Sequence, residues 1–409
     1  MTLVVQKFGG TSVATPERIR HVAHRIAQAK QAGHQVVVVV SAMGHTTDEL
    51  LELKDQVTAF ASPREIDMLL ATGEQVSIAL VAMALQSAGI PAISVTGAQA
   101  GIRTEPVHTK ARIIDIHTDR LRQLLLDDYI PVVAGFQGVT HNGEICTLGR
   151  GGSDTTAVAL AAALRADECE IYTDVSGVYT TDPRLVSDAS LLPEISYDEM
   201  LELASLGAQV LHPRSVEYAK QHHLNLRVRS TFDEGRGTVV KGVDELENVT
   251  PVRGVAVDMN QAKVALLAVP DTPGIAARLF GALSDHAINV DMITQAVRAE
   301  NTNDIGFTVP RDDLDKAVAV TTDVGKAIGA GEVVKSLEVA KVSIVGSGMV
   351  NHAGIAARMF QALADGNINI QMIATSEIKV SCVINRDQAQ QAVRLVHNAF
   401  HLGSPVPTV

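Results

Sequence analysis

The sequence predicts an α/β fold in which a mostly parallel sheet is sandwiched by helices and followed by a smaller repeated unit. Up to residue 230, short β-branched runs alternate with longer Ala- and Leu-rich segments, and this alternation favours a parallel sheet. Hydrophobic residues make up 46% of the chain, aromatic residues only 3%, and Trp is absent. Such an aliphatic core suits buried parallel strands under Ala-rich helices. The third observation is an internal repeat near the C-terminus.

The predicted elements of the first part follow in a regular order. Strands are expected at 4–8, 35–41, 92–96, 130–135, 170–173 and 225–229, and helices at 16–32, 64–88, 153–166 and 197–206. Ligands of such sheets gather at the carboxyl ends of the strands. The polar and Gly-rich segments that follow these strands are therefore candidate site segments.

The repeat consists of the stretches 271–295 and 351–375, which are identical at 13 of 25 positions when aligned without gaps. Each copy is preceded by a predicted strand that begins with Lys-Val, at Lys263 and at Lys341. Such a repeat predicts two copies of one small βαβ-type unit. We expect a first domain at 1–245 and a second region at 252–409, with repeat copies at about 263–335 and 341–409.

Charge and cysteine content exclude several classes of partner. The formal net charge of −12 disfavours nucleic acid, although a nucleotide needs only a few local cations and backbone donors. The three cysteines, Cys146, Cys169 and Cys382, have no metal-like spacing and are expected to be reduced thiols. The uninterrupted apolar runs are too short to span a membrane. We expect a soluble cytoplasmic protein with no metal site of its own residues and no membrane or nucleic-acid partner.

The first candidate motif, Lys7-Phe-Gly-Gly-Thr-Ser12, lies between the first strand and the first helix. Two glycines let the backbone approach a phosphate, the helix N-terminus adds N–H donors, and Lys7 adds a positive charge. The alternative is an ordinary tight turn with a surface lysine. The motif is not a Walker P-loop, because GxxxxGK[ST] is absent from the chain.

Two further motifs also follow predicted strands. In Leu148-Gly-Arg-Gly-Gly-Ser-Asp154, which opens a helix, Arg150 is suited to bind a carboxylate through two of its guanidinium nitrogens. Helix capping by Ser153 or Asp154 is the structural alternative, but it does not explain an arginine between glycines. The segment 173–184, TDVSGVYTTDPR, follows a predicted strand and could surround the base and ribose of a nucleotide. Taken alone, it is better interpreted as a turn with capped ends.

Together these segments resemble the amino acid kinase family, and within it the aspartate kinases. KFGGTS at 7–12, SAMGHTTDEL at 41–50, the Gly73-Glu74 pair, GRGGSD at 149–154 and the 173–184 block occur in that family's order. The repeated tail resembles two βαββαβ ferredoxin-like ACT units. The resemblance implies ATP- and Mg²⁺-dependent phosphorylation of the L-aspartate side chain to 4-phospho-L-aspartate, the first step toward lysine, threonine and methionine.

The resemblance also assigns roles to individual residues. Lys7 is expected to contact the transferring phosphoryl group and Asp154 to order Lys7. Aspartate is expected to be held by Ser41, Thr47, Glu74, Arg150, Gly151, Gly152 and Ser153, with Arg150 on its α-carboxylate and Glu74 on its ammonium group. ATP is expected to contact Lys7, Phe8, Gly9, Gly10, Ser12, Thr173, Asp174, Tyr179, Asp182, Arg184 and Gln209. Many relatives have a lysine in place of Gln209, so this chain lacks one cation near the nucleotide.

The ACT-like tail implies feedback inhibition by lysine, threonine or both. The expected effector contacts are Gly274, Ala276, Asp291 and Gln295 in the first copy and Asn369, Ile370, Thr375, Ser376 and Glu377 in the second. The resemblance further implies a homo-oligomer formed through the ACT units, or an assembly with a tail-only subunit. The sequence leaves open which amino acid inhibits and how many chains assemble.

Two other functions compete with this interpretation. One is another carboxylate or carbamate kinase of the same fold, such as acetylglutamate kinase, against which the ACT-like tail and the 41–50 segment argue. The other is a non-catalytic amino-acid sensor with an inactive kinase domain, against which the intact Lys7, Arg150 and Asp154 argue.

Overall fold

The computed structural model describes residues 2–207, 210–247, 250–298 and 301–403, which form two compact units. Within these residues, the first unit comprises 2–178, 191–204 and 210–247, and the second comprises the rest.

The first unit contains twelve strands and seven helices among the described residues. The strands are β1 Leu3–Phe8, β2 Gln35–Val40, β3 Ala92–Val95, β4 Ile102–Thr104, β5 Ile113–Ile116, β6 Ile130–Ala134, β7 Gln137–Val139, β8 Ile145–Thr147, β9 Glu168–Thr173, β10 Glu194–Ser196, β11 Leu226–Ser230 and β12 Thr238–Lys241. The helices are α1 Pro16–Gln31, α2 Thr46–Val57, α3 Pro63–Ser87, α4 Asp119–Leu126, α5 Gly152–Leu164, α6 Tyr197–Ser205 and α7 Pro213–Gln221.

The main sheet has eight strands in the order β10-β12-β11-β9-β1-β2-β6-β3. All neighbouring pairs are parallel except the β11–β12 pair, which is antiparallel. The prediction of a mostly parallel sheet is therefore confirmed. Five successive valines fill β2, and all five are buried, as expected for a strand covered on both faces.

The helices begin where local sequence favours a helix start. Thr15 accepts a hydrogen bond from the backbone N–H of Arg18 and Pro16 occupies the first turn of α1. Ser62 and Pro63 have the same roles for α3. By length and composition alone α3 is apolar enough to span a membrane, but half of its most apolar stretch is buried within the protein. It packs on β2, β3 and β6 as a core helix.

A second, four-stranded sheet in the order β5-β4-β7-β8 was not predicted from the sequence. Its strands are only three or four residues long, which leaves too little alternation to be recognised. Strand β8 ends at Thr147 and leads directly into the glycine loop at 149–152, so this sheet supports that loop.

The second unit contains six strands and four helices among the described residues. They are β13 Gly254–Pro270, α8 Ile275–Asp285, β14 Ile293–Val297, β15 Thr302–Val309, α9 Leu314–Ile328, β16 Val333–Val345, α10 Ile355–Asp365, β17 Met372–Thr375, β18 Lys379–Asn385 and α11 Ala389–Ala399. The strands form one antiparallel sheet in the order β14-β15-β13-β16-β18-β17.

The two repeat copies share the long central strands of this sheet. The first part of β13 pairs with the last part of β16, from Gly254 opposite Val345 to Asp258 opposite Lys341, and the later part of β13 pairs with β15 and with the start of β16. Each copy's first helix follows a glycine with φ near +90°, Gly274 before α8 and Gly354 before α10. The repeat in the sequence is therefore also a repeat in backbone conformation.

The segment 179–190 belongs to the second unit, and it overlaps the end of the motif 173–184, which begins in the first unit. The N–H of Val255 donates to the carbonyl of Thr180, and the Thr180 hydroxyl lies 2.9 Å from Nε2 of His397. Nε of Arg394 donates to the carbonyl of Leu185. The predicted nucleotide segment is thus divided between the two units at residue 178.

Candidate active site

The predicted site segments follow neighbouring strands at one edge of the main sheet. In the order β11, β9, β1, β2 and β6, the residues at or just beyond the carboxyl ends are Thr231, Thr173, Gly9, Ser41 and Gly135. Because parallel strands end at a common edge, these segments lie side by side. This is where ligands of such sheets are expected.

Lys7 forms an ion pair with Asp154 at this edge. Its Nζ lies 2.6 Å from Oδ1 of Asp154, and both side chains are nearly buried. Lys7 is contributed by β1 and Asp154 by the first turn of α5, so two elements fix the ammonium group. A Cβ atom at Gly9 would lie 3.5 Å from this Nζ, which places the bare backbone of the glycine turn beside the cation.

The glycine turn packs closely against the segment after β2. A Cβ atom at Gly10 would lie 2.8 Å from the carbonyl oxygen of Ala42, so a larger residue there must displace backbone. The N–H of Gly44 donates to the carbonyl of Gly10. The ring of Phe8 is fully buried and stacks on Tyr172 with centroids 4.6 Å apart. Only the backbone of Phe8 is therefore suited to contact ATP.

The residues predicted on the ATP side of this edge are joined by hydrogen bonds. The Ser12 hydroxyl lies 2.6 Å from the hydroxyl of Thr231, whose N–H donates to the carbonyl of Thr173. The Thr173 hydroxyl donates to Asp174, whose carboxylate is exposed. Ser12 is itself buried, which makes it a brace of the turn rather than an open phosphate ligand.

Glu74 is buried beside the segment that carries Ser41 and Thr47. Its Oε1 accepts a hydrogen bond from the N–H of Ala42, while its Oε2 is buried and has no hydrogen-bond partner among the described residues. Burial raises the pKa of Glu74 to about 7. Thr47 lies in the first turn of α2 and is half-buried, as is Ser41. A buried carboxylate with a free oxygen is suited to a cationic ligand group.

The loop at 149–152 presents Arg150 to solvent. Gly149 and Gly151 have φ of +75° and +68°, a region in which side chains are disfavoured. A Cβ atom at Gly151 would also overlap the ring of His212. Arg150 is exposed and makes no polar contact within the part of the chain that the structure describes. Its guanidinium group is therefore available to a ligand.

Residues Gly152 and Ser153 open α5 next to the end of β6. Ser153 is buried, and its Oγ would lie 2.7 Å from a Cβ atom at Gly135. The described contacts link Glu74 to Ala42, Ala42 to Gly10, Gly9 to Lys7, and Lys7 to Asp154. Ser41 and Ser153 adjoin this series as the sequence neighbours of Ala42 and Asp154.

Several residues that support this site were not predicted from the sequence. Nη1 of Arg214 donates to the carbonyl of Leu148, and Nη2 to that of Ala111, so Arg214 ties the base of the glycine loop to α7. The buried carboxylate of Asp67 binds His108 and the hydroxyl of Thr147. In the sequence, Asp67 is recognisable only as a charged residue within a predicted helix that has an apolar face.

The remaining nucleotide candidates are not part of the described residues of the first unit. Tyr179, Asp182 and Arg184 belong to the segment 179–190 of the second unit, and Gln209 lies outside the described residues. Nε and Nη2 of Arg184 donate to the Asp182 carboxylate, and these bonds lower the pKa of Asp182. Their roles toward ATP stay predictions.

The predicted effector residues lie on the second unit. Gln295 is on β14 and Thr375 on β17, the two edge strands, and both are exposed. Exposed positions are also found for Gly274, Ala276, Asp291, Asn369, Ser376 and Glu377, while Ile370 is half-buried. Asp291 forms an ion pair with Lys341, and Lys263 donates to Gln371 at 2.7 Å. Asp291 and Gln371 are aligned positions of the repeat, and each lysine begins the strand that precedes its own copy, so each copy's lysine binds the other copy.

Known proteins match this chain along almost its whole length. The amino acid kinase family matches residues 2–230, and the ACT domain matches 267–323 and 342–400. An aspartate kinase of Stutzerimonas stutzeri is 52% identical over 407 residues, which cover 99% of this chain and 98% of the relative.

Solved structures agree with the sequence comparison. A crystal structure of E. coli aspartokinase III in complex with aspartate and ADP, called the R-state, is 26% identical with a TM-score of 0.81. Its complex with lysine and aspartate, called the T-state, is 27% identical with a TM-score of 0.75. Each covers 97% of this chain and 99% of the E. coli chain. The resemblance stated from the motifs is confirmed: this chain is a member of the aspartate kinases, built from an amino acid kinase domain and C-terminal ACT domains.

Proposed function

We propose that this kinase transfers the γ-phosphoryl group of ATP to the side-chain carboxylate of L-aspartate, giving 4-phospho-L-aspartate. The observation that carries the proposal is the Lys7–Asp154 ion pair beside the bare backbone of Gly9, at the carboxyl edge of the sheet. This arrangement supplies a fixed cation and an unobstructed backbone, which are what a transferring phosphoryl group needs. The aspartate and ADP bound to E. coli aspartokinase III support the same pair of ligands here.

Recognition of aspartate requires a cation for its α-carboxylate and an anion for its ammonium group. Arg150 supplies an exposed guanidinium with no polar partner among the described residues, and Glu74 supplies a buried carboxylate oxygen with none. Bidentate arginine–carboxylate pairs are strong and directional. Ser41, Thr47, Ser153 and the backbone of Gly151 and Gly152 complete the proposed aspartate site.

The chemistry needs no general base. The aspartate side chain has a pKa of about 3.9 in water and is already an anionic nucleophile at neutral pH. The task of the protein is to hold carboxylate and triphosphate in line and to stabilise the charge that develops. Lys7 provides that charge, and Asp154 prevents its side chain from rotating away.

The residues at this edge also fit a Mg²⁺ ion that arrives with ATP. Mg²⁺ in kinases is held by one or two carboxylates together with substrate phosphates, and the exposed carboxylate of Asp174 follows β9 at the same edge as Gly9. When bound, the ion neutralises phosphate charge. Although the sequence assigned no metal ligand, we propose that Asp174 holds the ion and that Thr173 orients Asp174 through its hydroxyl.

We further propose that the second unit inhibits the enzyme when it binds lysine, threonine or both. The lysine in the T-state complex of E. coli aspartokinase III supports an amino-acid effector. Gln295, Asp291, Ser376 and the other predicted effector residues would contact it.

The apolar side chains of Ile293 and Val297 on edge strand β14 are exposed by 52% and 87%, which supports assembly with another chain. The product would feed lysine, threonine and methionine synthesis in the cytoplasm.

A hydroxylamine trapping assay tests the proposed reaction. The purified protein is given ATP, Mg²⁺ and aspartate, acetylglutamate or glutamate, each with and without lysine and threonine. We expect hydroxamate from aspartate alone, reduced by lysine or threonine. Hydroxamate formed from acetylglutamate would instead support an acetylglutamate kinase. If no substrate gave hydroxamate, the result would support a non-catalytic amino-acid sensor.

A further inference from the structure

We infer that Asp67 is a positioning residue for aspartate binding, which holds the loop that carries Arg150 without touching the substrate itself. The inference rests on the proposed role of Arg150. Asp67 lies on α3 and its side chain is fully buried. It has no assigned role in the reaction proposed above.

Both carboxylate oxygens of Asp67 accept hydrogen bonds from two other segments. Oδ2 lies 2.7 Å from Nδ1 of His108, and Oδ1 accepts from the Thr147 hydroxyl at 2.5 Å. The N–H of Thr109 donates to both oxygens at 3.0 Å. One buried acceptor thus joins α3, the 108–109 turn and the end of β8.

This network extends directly to Arg150. Thr147 is three residues before Arg150 and is the last residue of β8. Thr109 has φ of +68°, and its carbonyl oxygen would lie 3.1 Å from a Cβ atom at Gly149. The turn held by Asp67 therefore packs against the first glycine of the loop. Arg214, which lies on α7 later in the chain, also holds this loop by donating a hydrogen bond to the carbonyl of Leu148.

The position of Asp67 on α3 gives the network a functional meaning. Asp67 and Glu74 are seven residues apart, which is two helical turns, so they lie on the same face of one helix. Glu74 is the proposed ammonium ligand, and Asp67 holds the loop of the proposed α-carboxylate ligand. One rigid helix thereby sets the distance between the two groups that recognise aspartate.

A metal site is the competing explanation for this cluster. The ligand atoms of Asp67, His108 and Cys146 lie within 4.8 Å of one another. Both oxygens of Asp67 already accept hydrogen bonds, however, and its Oδ2 is only 2.7 Å from Nδ1 of His108. Two ligands of one zinc ion, each about 2.0 Å from the metal in tetrahedral geometry, lie farther apart than this. The hydrogen-bonded network is therefore favoured.

Steady-state kinetics of three single variants tests the inference. Asp67→Asn keeps the shape but replaces an oxygen acceptor with a donor, and Thr147→Val removes one donor without changing volume. We expect each to raise the KM for aspartate about 10-fold, below the roughly 100-fold that a 1 Å misplacement can cost, with the KM for ATP unchanged. Ser77→Ala is the matched control, because among the described residues this buried hydroxyl on the same helix bonds to its own helix alone, at the carbonyl of Gly73.

A double-mutant cycle separates positioning from a general structural effect. In an Arg150→Ala background, Asp67→Asn should raise the KM for aspartate less than twofold further, because the group it positions is gone. Three results would each overturn the inference. The first is that Asp67→Asn raises the KM for aspartate by the same factor with and without Arg150, and the second is an unchanged KM in both Asp67→Asn and Thr147→Val. The third is a stoichiometric bound metal ion that is lost in Asp67→Asn. An Arg150→Ala variant with an unchanged KM for aspartate would instead refute the proposed substrate site.

Discussion

Burial of Glu74 makes both stability and aspartate binding depend on pH. Its Oε2 is buried without a partner among the described residues, and burial raises its pKa from 4.5 to about 7. An acid whose pKa is higher in the folded state favours folding when it is protonated. The contribution of Glu74 to the free energy of unfolding is fully present below about pH 4.5 and is lost as the pH rises through about 7. Glu74→Gln removes this titration while keeping the shape and the acceptor for the N–H of Ala42.

The size of the effect follows from the two pKa values. Each pKa unit corresponds to about 1.36 kcal/mol, so between pH 5 and pH 8 this one group should cost the free enzyme about 2 to 3 kcal/mol of folding free energy. The comparison between the two pH values matters more than either value alone. Any constant penalty from the extra amide donor in Glu74→Gln cancels in that difference.

Thermal unfolding of the two proteins at pH 5 and pH 8 measures the effect. For a unit of this size, 1 kcal/mol corresponds to about 2 to 4 °C in Tm. We expect the Tm of the unmodified enzyme to fall by about 4 to 12 °C more between these pH values than that of Glu74→Gln. A parallel fall in both proteins would refute the reasoning, since it would mean that Glu74 does not titrate in this range.

Substrate binding should show the reverse dependence. The ammonium group of aspartate favours ionised Glu74, so the KM for aspartate should decrease as the pH rises to about 7 and then level off. Glu74→Gln should show a higher KM with little pH dependence. Equal KM values for the two proteins at pH 8 would remove Glu74 from the substrate site.

Three further predictions concern other parts of the chain. Lys7→Ala should lower kcat by about two to four orders of magnitude with an unchanged circular dichroism spectrum, because it removes the cation at the phosphoryl group; near-normal kcat would exclude that role. Gln295→Ala or Ser376→Ala should raise the inhibition constant for lysine or threonine and leave kcat unchanged; unaltered inhibition in both would remove the proposed effector site. Gly10→Ala should lower activity and Tm because its Cβ would lie 2.8 Å from the Ala42 carbonyl, whereas Gly281→Ala, with open space in α8, should be stabilising by about 0.5 to 1 kcal/mol in urea unfolding.

The sequence predicted the elements that have a strong local signal. The ten strands and helices expected in the first part are all present, with ends that differ by at most two residues from the predicted ones. Long β-branched runs such as β2 and capped helices such as α1 and α3 are specified by nearby residues, so they can be recognised without tertiary contacts. The repeat likewise predicted two copies of one unit, because aligned residues encode the same backbone conformation at Gly274 and Gly354.

The sequence could not predict features that depend on residues far apart in the chain. The strands of the four-stranded sheet are too short to show alternation, and they form only because their neighbours in space supply hydrogen bonds. The partner of β13 could not be predicted either, because strand pairing depends on packing rather than on nearby residues.

By itself, the sequence determined the family, the order of the main elements and the segments that carry polar site residues. These features depend on local composition and on motifs whose residues are adjacent in the sequence. Only the tertiary structure decided that Lys7 faces Asp154, that Glu74 keeps a buried oxygen without a partner among the described residues, and that Asp67 holds Thr147. Those facts depend on burial and on distances between segments up to 147 positions apart, and neither quantity exists until the chain has folded.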